Sequence, residues 1–146
     1  MSRLLISALL ASIVAGIPDV FVAAALSRAA PGKVLQMIAS GILGKDSYRG
    51  GSKTMIFGLV LQVAMSFVIA LIYNIACSQF ADIRRNPLIF GAMYGVLIFV
   101  VMNFVVVPLS RAHPKHRWDA KSFVAMLIVM VLFGEIISFI AAVFSA

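Results

Sequence analysis

Residues 4–27 read LLISALLASIVAGIPDVFVAAALS, and the fold turns on whether this run is one helix or is broken at Pro18 and Asp19. A bilayer's hydrocarbon takes about 20 residues of helix, so the unbroken run is long enough to span it. Arg3 ahead of LLISALLASIVAG has the look of a signal peptide. The apolar character resumes after Asp19 and continues to Leu26, too far for a signal h-region, which predicts a retained membrane helix. Pro18 has no N–H for the Val14 carbonyl, so a bend is expected beside the acid.

Three more runs of the same kind follow, at about 54–80, 87–110 and 122–145, and Asp19 and Glu135 are the only charges that interrupt the four. The rest of the composition agrees. With 63% hydrophobic and 12% charged residues and a mean hydropathy of +1.10, the chain is too apolar for a soluble domain, and the surplus has to face lipid. The expected fold is all-α: one transmembrane domain over 1–146, four spanning helices, and a short amphipathic helix between the first two.

A formal charge of +7 raises nucleic acid as a partner. The basic residues fall between the hydrophobic runs, where membrane proteins place them, so the expected partner is the lipid bilayer and not nucleic acid. Arg28, Lys33, Lys45, Arg49 and Lys53 lie between the first two runs, and Arg111, Lys115, Arg117 and Lys121 between the last two. Those nine outnumber Arg3, Arg84 and Arg85 on the other side. The positive-inside rule places segments 28–53 and 111–121 in the cytoplasm and both termini outside. Trp118 fits an interface anchor.

Between the first two runs, PGKVLQMIASGIL spaces Val34, Leu35, Met37, Ile38, Ile42 and Leu43 by threes and fours, with Pro31 to open a helix and Gly44 to close it. This helix, at about 32–43, is too short to span and is expected to lie along the interface. The following GKDSYRGGSKT resembles a phosphate-binding loop, but Ser47 and Ser52 stand where glycines are required and no strand precedes it. A nucleotide site is rejected.

Polar groups within the spans are the candidate sites. At about 1.5 Å of rise per residue, Asp19, Gln62 and Asn103 share one depth, roughly 10–14 Å from the cytoplasmic edge. Glu135 and Ser66 share a second level nearer the midplane, and Tyr73, Asn74 and Tyr94 gather toward the outer edge. A charged carboxylate facing lipid costs from about 2.5 kcal/mol upward, so both acids should face the bundle interior or be protonated. Asp19 with Gln62 and Asn103 reads either as a hydrogen-bond cluster that fixes helix register or as a site for a proton or substrate. Gly91 and Gly95 form a G-x-x-x-G, and Ala8, Ser12 and Gly16 a small-residue stripe, for close helix packing inside the bundle or against another protein.

No cofactor is expected. Cys77 is the single cysteine, so neither a disulfide nor a thiolate metal site can form from this chain. His113 and His116 flank a proline in a basic loop without a carboxylate or thiol partner, which gives no metal site. No nucleophile, base and orienting group fall together, so an enzyme is not expected.

The stretch LQMIASGILGKDSYRGG, followed by a membrane helix and NPLIFGAMYGVLIFVVMNFVVVPLS, resembles a group of uncharacterised small four-helix inner-membrane proteins of proteobacteria, over roughly Lys33 to Ser110. The resemblance implies a bacterial cytoplasmic-membrane location and assigns no residue a role. Two functions remain open: an accessory or stabilising subunit packing on a larger membrane complex, or an oligomeric proton- or cation-coupled carrier or channel using Asp19 and Glu135.

Overall fold

The computed structural model describes residues 2–112 and 119–145; Trp118, His113 and His116 lie outside them. Among the described residues every regular element is helical. The first, α1 (Ser2–Ser27), runs unbroken through Pro18, whose ring is exposed. It stops at Arg28, which takes the left-handed conformation at φ +51° while Ala29 N–H reaches back to Ala24 O at 3.1 Å. Pro31, with φ pre-set for a first helical turn, then opens α2 (Pro31–Leu43).

A 3-10 segment, Gly44–Arg49, leads into α3 (Ser52–Gln79). Next come a short α4 (Ala81–Arg85) in the connection between the second and third apolar runs, α5 (Pro87–Leu109) and α6 (Ala120–Ser145). Four of these helices, α1, α3, α5 and α6, are long and apolar enough to cross a membrane. The widespread exposure of Leu, Ile, Val and Phe on all four would be untenable in water over such an area.

Within α5 the turn Met102–Val106 is π-helical, which the sequence reading lacked. Two local causes coincide there. Asn103 Nδ2–H donates to Phe99 O at 2.9 Å, competing for a carbonyl of the helix ladder, and Pro108 supplies no N–H and crowds the turn before it.

The packing order is α3 on α1, α1 on α6 and α6 on α5, with α3 also touching α6, and α2 laid against α3 and α1. The core between α1, α3 and α6 is built from small residues: Ala8, Ala11, Ala15, Ala70 and Ala141 surround Tyr73, Phe133 and Ile137. Glycine brings α5 and α6 into backbone contact. A methyl group on Gly91 would stand 2.8 Å from Ser138 Cβ, one on Gly95 would stand 2.6 Å from Val131 Cα, and one on Gly134 would stand 2.7 Å from Gly95 Cα. Gly91 and Gly95 thus face α6 of the same chain. Gly134 and Ser138, four apart on α6, complete the seam as a small-x-x-x-small pair that sequence reading passed over.

Candidate functional site

Asp19 and Gln62 meet across the α1–α3 contact. Gln62 Nε2 uses its two hydrogens on two acceptors, Asp19 Oδ2 at 3.1 Å and Gly16 O at 3.2 Å. Gly16 makes this possible by lacking a side chain: it is buried against Ser66, whose Cβ would lie 3.0 Å from a methyl group there. Ser66 therefore serves the α1–α3 contact at Gly16. Ala8 and Ser12 lie buried on the same helix, and the Ser12 hydroxyl donates to Leu9 O at 2.7 Å.

Asn103 stands apart from this pair. Equal depth placed it with Asp19 and Gln62, but α5 leans on α6, and the Asn103 amide turns back to its own helix. Depth gives no direction around the bundle axis, which is why the arithmetic grouped three residues where two meet.

Glu135 sits near the middle of α6, half-buried, beside the glycine seam: a methyl group on Gly91 would stand 3.0 Å from Glu135 Cα. Its neighbours along the helix, Leu132, Ile136 and Phe139, are exposed, so it occupies the margin between the α5 contact and the perimeter. Among the described residues no hydrogen bond or ion pair reaches its carboxylate. Among the described residues Asp19 is engaged and Glu135 is not.

A third polar group joins three helices toward the end of the bundle that carries both termini. Ser138 Oγ–H donates to Pro87 O at 2.8 Å, which leaves Tyr73 O–H to donate to Ser138 Oγ at 2.6 Å, while Tyr94 O–H donates to Ile69 O at 2.7 Å. The two tyrosine rings are tilted by 50° with centroids 4.8 Å apart, so α3, α5 and α6 are tied together by hydrogen bonds as well as by ring packing. Asn74, next to Tyr73, is fully buried and donates to Ala70 O at 2.8 Å; among the described residues its Oδ1 has no partner, and neither has the buried Ser7 Oγ on α1.

At the other end a polar network fixes α2. Ser47 Oγ–H donates to Gln36 O at 2.8 Å, and Gln36 Nε2 reaches Gly51 O and Thr54 Oγ1, each at 3.4 Å. Gly58 lets the α2 backbone touch α3 at Leu35 O. Ser47, one of the two seryl residues that broke the phosphate-loop pattern, is thus a buried structural link. Nothing in the sequence marked Gln36, Ser47 and Thr54 as a linked set, because they fall in the short helix, in the loop after it and at the first residue of the second run.

Among the described residues no three of His, Cys, Asp and Glu gather as a metal site would require. Taken together, these elements define a small multi-pass helical membrane protein. Comparison with family models, with curated proteins and with solved structures returns no match to the chain.

Proposed function

We propose that this protein is a non-catalytic accessory or stabilising subunit of the bacterial cytoplasmic membrane, packing against a larger membrane complex through the face of α6 that bears Glu135. The observation behind this reading is the Glu135 carboxylate, half-exposed near the middle of a spanning helix and unpartnered among the described residues. At that depth a lipid-facing charge costs from about 2.5 kcal/mol upward, a cost that a hydrogen-bond donor or cation from a neighbouring subunit would offset. The small-residue seams do not compete for this role, since Gly91, Gly95 and Gly134 are already engaged within the chain. In this reading α2 lies along the cytoplasmic interface, segments 28–53 and 111–121 face the cytoplasm and both termini are outside. The exposed Arg28, Lys33, Lys45, Arg49, Lys53 and Arg111 at one end of the molecule support that orientation.

The same residue favours a second reading, an oligomeric carrier in which Glu135, with Asp19, binds a proton or cation. Gentle extraction from native membranes followed by native mass analysis separates the two. Stoichiometric co-purification with an unrelated membrane complex, weakened by Glu135→Leu, is the outcome expected of an accessory subunit. A chain that runs only with itself, and whose liposomal ion flux disappears in Glu135→Gln, would replace that reading with the carrier.

A further inference from the structure

We infer that the seam between the end of α2 and the end of α5 binds the headgroup of an anionic phospholipid, with Lys45 and Arg111 holding the phosphate. This rests on the membrane reading above. The seam joins segments far apart in sequence: Arg111 N–H donates to Gly41 O at 2.9 Å, and Ser110 Cβ and Arg111 Cβ lie 3.8 and 4.0 Å from where methyl groups on Gly41 and Gly44 would be. The hydrogen bond satisfies a carbonyl near the end of α2 and anchors the Arg111 backbone next to Gly44, the neighbour of Lys45. A helix C-terminus favours cations, which is consistent with both basic residues standing there.

Both side chains are exposed, and no ion pair among the described residues engages either. The carboxylate in this stretch is the exposed Asp46, against the nearby Arg49 as well as Lys45 and Arg111. Cations alone would attract any small anion. Here they are flanked by apolar side chains turned outward: Leu109 is 82% exposed, Ile42 52% and Leu43 40%. Leu109 is the last residue of a helix long enough to span, so the apolar patch continues into the lipid-facing surface of α5. A ligand that satisfies both halves carries a phosphate on an acyl chain, and a basic cluster at the end of a spanning helix meets it in the anionic leaflet.

The test uses the full chain in detergent micelles containing equal amounts of phosphatidylglycerol and phosphatidylcholine, read by native mass spectrometry. The wild-type chain is expected to retain phosphatidylglycerol preferentially, and inorganic phosphate should not displace it. Lys45→Gln with Arg111→Gln is expected to reduce that preference by roughly 5-fold per charge removed, while Arg85→Gln at the opposite end leaves it unchanged. Both replaced side chains are exposed, so folding is not at stake. An unchanged preference in the double variant, an equal loss in Lys33→Gln with Lys53→Gln, or displacement by free phosphate would each overturn the site. A chain that stays dispersed in water without detergent would instead defeat the membrane reading on which the site depends.

Discussion

Gln62 holds two acceptors with one amide group, and the consequence of removing it can be stated at the level of single atoms. Gln62→Leu keeps the volume but leaves Asp19 Oδ2 and the additional interaction at Gly16 O without their donor. Hydrogen bonds between membrane helices average about 0.6 kcal/mol and reach about 1.7 kcal/mol. An acid left unpaired at membrane depth adds its own penalty. The expected loss is about 1–2 kcal/mol, measured by unfolding in mixed micelles. Asp19→Leu combined with Gln62→Leu should recover part of it, because the two changes together leave no uncompensated carboxylate. Additive losses in the double variant would mean that the two side chains do not interact. The location of this pair was legible, since an acid and an amide at equal depth in apolar helices have few other partners. The exclusion of Asn103 was not, because it depends on which helix α5 packs against.

At the scale of elements, the α5–α6 seam is governed by the absence of side chains. A methyl group on Gly95 would stand 2.6 Å from Val131 Cα and 2.9 Å from the Met130 carbonyl carbon, and backbone cannot give way as a flexible side chain can. Gly95→Ala is therefore expected to separate the helices and lower stability by about 1–3 kcal/mol, as overpacking of a close contact does. Gly41→Ala is the contrasting case: its nearest neighbour would be Ser110 Cβ at an ordinary 3.8 Å, so the higher helix propensity of alanine should leave stability unchanged or raised by up to about 1 kcal/mol. Thermal unfolding of both variants checks the pair, and equal behaviour would contradict the seam. G-x-x-x-G announces close packing in any sequence, but its partner was hidden because Gly134 and Ser138 look unremarkable inside a long apolar run. The spans themselves were legible to within a few residues, since length and hydropathy alone define them. The π-helical turn and α4 were not, because both follow from short-range competition for backbone hydrogen bonds that hydropathy does not register.

For the whole molecule, the decisive asymmetry is between its two ends. Four spans put the termini on one side and the two basic connections on the other, whichever way the molecule is inserted. The competing signals are Arg3, ahead of the first span, and the exposed Arg28, Lys33, Lys45, Arg49 and Lys53 after it. Positive charge near a span resists translocation, and the first helix often dominates orientation, but here the segment that follows it carries five such charges against one. A reporter fused after Ala146 is accordingly expected outside the cytoplasm, and one inserted at Gly50, in the exposed turn before α3, inside. Replacing Arg28, Lys33, Lys45, Arg49 and Lys53 together by glutamine while keeping Arg3 should produce a mixed or inverted population, since the bias over the first span would then favour the N-terminal side. A C-terminal reporter that is cytoplasmic in the wild-type chain, or an orientation indifferent to the five replacements, would show that later spans or a partner, and not charge, decide how this protein sits in the membrane.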